Sequence, residues 1–157
     1  MDERIIKLAG VLKLFGKDAD MSSYDNRLIL QKIVYILKCR GVGLDYFFGW
    51  YIRGPYSCSL ATDGYVLSNK PYIGPSMIPD EEARTVKEVK ETLGEDMKNG
   101  KKMEIIASLL FLKNECRFLD DAGLVERLRG RKPWLTESEI QEGLEKLKKV
   151  CPSVFVS

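Results

Sequence analysis

The segment from Leu28 to Arg40 constrains the fold most, because its apolar side chains cover most of the circumference of a helix. At the helical period of about 100° per residue, its aliphatic side chains spread over a wide arc. Gln31, Tyr35 and Lys38 fall together on the narrow remaining strip. A helix with so little polar surface needs cover on nearly every side. The sequence therefore predicts that this helix lies at the centre of a small domain.

An aromatic segment follows, from Tyr46 to Arg53, and its residue types favour a strand. Alternate side chains of a strand share one face, and one face here carries Tyr46, Phe48, Trp50 and Ile52. We expect this segment to form a small antiparallel β element over residues 46–53.

Three residues after this segment form a structural motif. Gly54 and Pro55 predict a turn that ends the strand, because proline fixes one backbone dihedral and has no amide hydrogen. Ser57 is predicted to cap the next helix, since a serine hydroxyl can accept a hydrogen bond from a free amide in the first helical turn.

The remaining patterns predict a mainly α fold of about seven helices around two buried ones. The second buried helix, Lys101 to Glu115, is apolar almost all round and is the expected partner of the first. Residues 69–79, rich in proline and glycine, predict an irregular crossover, and residues 154–156 suggest a terminal strand. Further helices are predicted at 3–15, 58–68, 80–93, 119–129 and, behind a capping box at Thr136, up to Val150.

Composition limits the class of protein. A chain of 157 residues with 45% hydrophobic and 31% charged residues is expected to form one globular domain, residues 1–157. The net charge of +2 is too small to require a nucleic acid or a membrane surface as partner. The longest apolar run, Ile105 to Leu112, is far shorter than a membrane span of about 20 residues. No secretion signal is recognisable at the first residues, so we expect a cytoplasmic protein that is not in a membrane.

The sequence contains no histidine, which removes the commonest acid–base group and every Ser-His or Cys-His nucleophile pair. The four cysteines are widely scattered without a Cys-x-x-Cys pair, which argues against a zinc site. We therefore expect a protein that is not an enzyme and that uses neither a cofactor nor a metal.

Residues Asn26 to Leu60 also carry a family pattern. It consists of Leu30-Gln31-Lys32-Ile33-Val34-Tyr35, a Gly41-x-x-Leu44 turn, the aromatic strand and Gly54-Pro55-Tyr56-Ser57. This pattern resembles the YwgA-like proteins, which in turn are similar to the SocA/Panacea antitoxin domain. The resemblance implies a mostly helical cytosolic domain of a toxin–antitoxin or phage-associated kind that binds a protein, such as a toxin that it neutralises or delivers to a protease. Arg53 stands where the antitoxin pattern prefers an aromatic residue.

Two interpretations apply to the polar strip and the aromatic strand. In the structural one, Gln31 bonds to the nearby turn and Tyr35 packs with its hydroxyl outward. In the functional one, the strip and the turn form a single recognition surface, since tyrosine, tryptophan and arginine are enriched in binding hot spots. The candidate partner-binding residues are then Gln31, Tyr35, Lys38, Trp50, Tyr51, Arg53 and Tyr56.

A DNA-binding regulator is the alternative. Two short helices joined by residues 130–134, with Arg127, Arg129, Arg131 and Lys132 close together, are compatible with a helix-turn-helix. Four glutamates on the second of these helices would repel phosphates, so nucleic acid is the less favoured partner.

Overall fold

The computed structural model describes residues 2–70 and 77–156. Within these residues the chain is mainly α, with seven α-helices, two short 3₁₀ helices and one two-stranded antiparallel sheet. The elements are α1 Glu3–Phe15, α2 Tyr24–Cys39, β1 Gly49–Tyr51, β2 Gly54–Tyr56, α3 Cys58–Asn69, α4 Asp80–Leu93, α5 Gly100–Glu115, α6 Asp121–Arg131 and α7 Glu137–Val150. The predicted crossover at 69–79 lies mostly outside the described residues, because 71–76 are not among them.

The two helices predicted to be buried form the centre of the molecule. Helix α2 packs against α5, and α5 also contacts α6, α7 and β2. Nine consecutive residues of α2, from Ile29 to Leu37, are buried. Because α5 is covered on several sides in the same way, its apolar pattern shows no single face. Helix α1 docks on α3 and α4 at the periphery.

Side-chain caps set several helix boundaries, and the predicted capping box at Thr136 is one of them. The Ser23 hydroxyl accepts from the Asn26 amide at 3.0 Å, so α2 begins at Tyr24. At α7 both halves of the capping box are present: the Thr136 hydroxyl accepts from the Glu139 amide at 3.1 Å, and the Glu139 carboxylate accepts from the Thr136 amide at 3.0 Å.

The predicted strand at 46–53 is wrong in its limits. Only Gly49–Tyr51 is a strand, and it pairs with Gly54–Tyr56. Upstream, from Val42 to Phe48, the side chains still alternate between buried and exposed. The backbone there bonds locally, with the Tyr46 amide donating to the Leu44 carbonyl at 3.0 Å, which replaces a strand partner. Ile52, predicted on the same face as Tyr46 and Phe48, is exposed while those two are buried, because the chain reverses there.

The predicted Gly-Pro turn is also corrected, since both residues lie inside β2. Pro55 sits opposite Trp50, and its carbonyl accepts from a lysine on α2, so the proline lies at a position whose amide would point away from β1. The missing amide hydrogen therefore costs the sheet nothing. Gly54 has φ of +90°, a conformation that side chains other than glycine rarely adopt. Ser57 caps α3 as predicted, accepting from the Leu60 amide at 3.3 Å.

The suggested terminal strand at 154–156 is wrong. Pro152–Phe155 forms a 3₁₀ helix directly after α7. Proline at its first position favours this helical turn, because its fixed dihedral is close to the helical value. Val154 turns inward and closes the end of the core.

Candidate functional site

Gln31 joins α2 to the exit of the hairpin formed by β1 and β2. Its side-chain amide donates to the Ser57 carbonyl at 2.9 Å, and its side-chain oxygen accepts from the Ser57 amide at 2.9 Å. Both groups are buried, so each satisfies the polar atoms of the other. The structural interpretation of Gln31 is confirmed, and its place on a recognition surface was wrong.

Tyr35 is buried as well, and it too leaves the predicted surface. Its ring packs edge-on against Phe48 at 5.1 Å between centroids, and its hydroxyl accepts from the Asn114 side chain at 3.3 Å. Burial raises the pKa of this phenol far above its ordinary value. Lys38 is exposed, and its ammonium group donates to the Tyr46 carbonyl. Most of the polar strip of α2 is therefore internal, and it holds the segment that follows in place.

The hairpin residues, in contrast, reach solvent. Tyr51 is 50% exposed, Ile52 at the tip is 82% exposed, and Tyr24 at the start of α2 is 55% exposed. Tyr56 is half-buried and packs edge-on against Tyr51, with ring centroids 5.3 Å apart. Arg53 lies with its guanidinium carbon 5.9 Å from the centre of the Tyr24 ring. We call this set, Tyr24, Tyr51, Ile52, Arg53 and Tyr56, the hairpin patch.

Trp50 lies on the opposite side of the hairpin and anchors it. Its ring is half-buried, 5.5 Å from the Phe111 ring of α5. The guanidinium of Arg131 covers it at 5.1 Å. Trp50 is therefore in the main a support for the patch, while the other predicted hairpin residues form its surface.

A group of buried charges lies directly beneath the hairpin. Lys32 of α2 and Lys132 after α6 are 1% exposed, and Glu104 of α5 is 2% exposed. Lys132 pairs with Glu104 at 3.2 Å, and both lysines donate to hairpin carbonyls: Lys32 to Pro55 at 2.7 Å and Lys132 to Ile52. We call Lys32, Glu104 and Lys132 the charge cluster. It ties the hairpin to three different helical regions of the chain.

One carboxylate serves more than one cation in this cluster. Arg53 also faces Glu104, at 3.6 Å, in addition to Lys132. Burial lowers the pKa of Lys32 to about 7; the Glu104 charge opposes this shift and the Lys132 charge adds to it. Lys32 therefore changes charge near neutral pH, which an ordinary lysine does not.

Ser108 of α5 lies against the same stretch of hairpin backbone. Its hydroxyl is fully buried and, within the described part of the chain, is the only buried side-chain polar atom without a hydrogen-bond partner. A Cβ at Gly54 would collide with this hydroxyl. The hairpin backbone is thus seated on α5 so closely that only glycine fits there.

Sequence reasoning missed the charge cluster. Lys132 belongs to a basic run that favours exposed side chains, and Glu104 stands in a helix whose pattern is dominated by apolar residues. A signal was present, because a lone glutamate among Met103, Ile105 and Ile106 on a helix buried all round requires a cationic partner. The sequence near Glu104 does not indicate its partner, because Lys132 is 28 residues further along the chain, after another helix.

The basic run at 127–132 does not form one surface. Lys132 turns inward, Arg131 stacks on Trp50, and Arg129 faces Glu137 at 3.5 Å. Of the four charges that suggested a nucleic-acid contact, Lys132 and Arg131 support the hairpin and Arg129 forms an ion pair, while Arg127 is exposed.

Comparison with protein-family models, with curated proteins and with solved structures found no match to this chain. In residues 2–70 and 77–156 there is no helix both long and apolar enough to cross a membrane. The same residues contain no group of three histidine, cysteine, aspartate or glutamate side chains arranged to hold a metal ion.

Proposed function

We propose that this chain is a non-enzymatic, cytoplasmic protein-binding domain that recognises its partner through the hairpin patch. The observation that carries the proposal is an exposed group of aromatic, aliphatic and arginine side chains on a hairpin fixed from below by buried charges. These residue types dominate binding hot spots, and an exposed apolar patch on a small domain favours an interaction site.

The charge cluster supports the same proposal, because its burial costs folding free energy and therefore needs a reason other than stability. Burying two lysines and a glutamate is seldom the most stable way to fill a core, because desolvation offsets much of their attraction. The cluster instead fixes the geometry of the hairpin. The ammonium groups of Lys132 and Lys32 donate to the carbonyls of Ile52 and Pro55, which lie on either side of Arg53 in the sequence. A rigid hairpin loses little conformational entropy when a partner binds.

The resemblance of residues 26–60 to YwgA-like and SocA/Panacea proteins supports an antitoxin-like role within this proposal. In that role the partner is a toxin, which the domain neutralises or delivers to a protease. The Gly54-Pro55-Tyr56-Ser57 motif of the resemblance belongs to β2 and the helix cap, so it supports the shape of the hairpin. The residues that would contact the partner are its neighbours Tyr51, Ile52 and Arg53.

A pull-down of the tagged full chain from its own cell lysate tests the proposal, with and without nuclease. The matched variants are Tyr51→Ala with Ile52→Ser in the hairpin patch, and Phe118→Ala, an exposed aromatic in the turn between α5 and α6, as the control. We expect a protein that survives nuclease, is retained by Phe118→Ala and is lost with the hairpin variant. Expressing that protein alone, and then with this chain, tests whether it is a toxin.

Recovery of nuclease-sensitive material alone would contradict the proposal and favour the DNA-binding alternative. Partner capture that is insensitive to the hairpin variant would remove the hairpin patch from the site.

A further inference from the structure

The hairpin patch has an excess of positive charge behind it. Lys132 and Arg53 both face Glu104, which is the sole carboxylate within ion-pair distance of either in the described residues, and Lys32 lies within the influence of its charge. Lys32 makes its bond to a neutral carbonyl. With Lys132 and Arg53 charged, the group carries one positive charge beyond that of Glu104, and a protonated Lys32 adds a second.

Two features bring this charge to the surface. Arg53 is half-exposed and lies 3.6 Å from Glu104, a longer separation than the 3.2 Å of Lys132, and among the described residues its guanidinium makes no hydrogen bond, so its five donors are free for a ligand. Arg27 adds a second guanidinium, whose carbon lies 5.8 Å from the centre of the Tyr24 ring in the hairpin patch. Among the described residues a single hydrogen bond, to the Met21 carbonyl at 3.0 Å, engages the Arg27 guanidinium.

The nearby acidic side chains do not cancel this charge. The Asp20 carboxylate accepts from the Ser22 amide at 2.9 Å and from the Asn26 side chain at 3.0 Å, which directs it toward its own turn. Asp25 lies beside Gly100, on the side of α2 that meets the start of α5. Low-dielectric surroundings also leave the charge cluster less screened than surface lysines would be.

Resting on the proposed function, we infer that the hairpin patch binds an acidic segment of its partner protein, one in which glutamate or aspartate alternates with large apolar side chains. Carboxylates of the partner pair with Arg53 and Arg27, and guanidinium groups suit this because they bind a carboxylate through two parallel bonds. Apolar side chains of the segment cover Tyr51 and Ile52. Charge complementarity selects this occupant over a basic peptide or a neutral apolar one.

Selection from a random library of displayed peptides, each about twelve residues long, tests the inference on the immobilised full chain. The same selection is run on Arg53→Gln, and on Arg84→Gln as the control, since Arg84 is exposed on α4 away from the hairpin. We expect sequences rich in acidic and aromatic or aliphatic residues on the wild-type chain and on Arg84→Gln, and their loss on Arg53→Gln.

Fluorescence anisotropy of a selected, labelled peptide then measures affinity. We expect Arg53→Gln to weaken binding about tenfold, Tyr51→Ala by a similar factor, and added salt to weaken wild-type binding steadily. A labelled single-stranded oligonucleotide of the same charge is the comparison probe, and it should bind at least tenfold more weakly than the peptide.

The outcomes separate the two proposals. Selected peptides that depend on Tyr51 but lack an acidic excess would overturn the acidic partner and leave the hairpin as a protein-binding site. Tighter binding of the oligonucleotide would overturn both in favour of a nucleic-acid partner. A selection that yields no peptide dependent on the hairpin patch would also overturn both.

Discussion

Lys32 makes the stability of this protein depend on pH in an unusual direction. Its pKa is about 7 in the folded chain, and an unfolded chain restores the ordinary value near 10.5. Between these two values the unfolded state holds a proton that the folded state has lost, so the free energy of unfolding rises with pH. Below about pH 7 the ammonium is charged in both states, and this dependence fades.

The magnitude follows from these two pKa values. From about pH 6 to about pH 8.5 the free energy of unfolding should rise by about 2 kcal/mol. The chain contains no histidine, so the side chain that normally titrates in this range does not contribute. Above about pH 8.5 the opposite effect enters, because burial raises the pKa of the Cys39 and Cys151 thiols and the unfolded state ionises first.

Urea denaturation at several pH values measures this effect. For a slope of roughly 2 kcal/mol per molar urea, the midpoint should rise by about 1 M across the range. Lys32→Met should flatten the profile, while Lys87→Met, which removes an exposed lysine of α4, should leave it unchanged. A flat wild-type profile, or one that keeps its slope in Lys32→Met, would refute the assignment of the buried ammonium.

Four further variants should change the denaturation midpoint. Glu104→Gln leaves Lys132 buried without a carboxylate and should destabilise by about 3–5 kcal/mol, whereas unchanged stability would mean that water reaches the cluster. Gly54→Ala should cost about 2 kcal/mol or more through its positive φ and the collision with Ser108, and a neutral result would show that the hairpin can shift. Ser108→Ala removes a buried hydroxyl without a partner and should be neutral or stabilising, so a clear loss would reveal an unseen bond. Thr136→Ala should cost about 1 kcal/mol through the lost capping box, and circular dichroism should show fraying at α7; no change would mean that packing alone fixes that end.

Local chemistry and periodicity were sufficient to predict most of the helical fold. The burial of α2, the caps at Ser57 and Thr136, and the central pairing of α2 with α5 follow from the spacing of apolar residues and hydroxyls. The limits of the strand did not follow, because alternation from Val42 to Phe48 is satisfied equally by an extended segment packed on helices.

The candidate site was predicted only in part for a related reason. A helical wheel orders side chains around an axis and leaves open which parts of the surface another element covers. The hairpin covers Gln31, and Phe48 with Phe111 covers Tyr35, so neither reaches a partner. Lys132 shows the reverse case, since its partner carboxylate is remote in sequence and the local basic run suggested an exposed side chain.

The bond from Lys132 to the Ile52 carbonyl has a consequence for biosynthesis. It joins residues 80 positions apart, and the Lys132–Glu104 pair completes the same support. In a nascent chain the residues of α2 and of the hairpin are joined early, but the lysine that fixes the hairpin is added only at position 132. At a synthesis rate of about 5–20 residues per second, this lysine follows the residues of the hairpin by several seconds. The hairpin therefore reaches its fixed form only after the chain has been extended well beyond the residues of the hairpin itself.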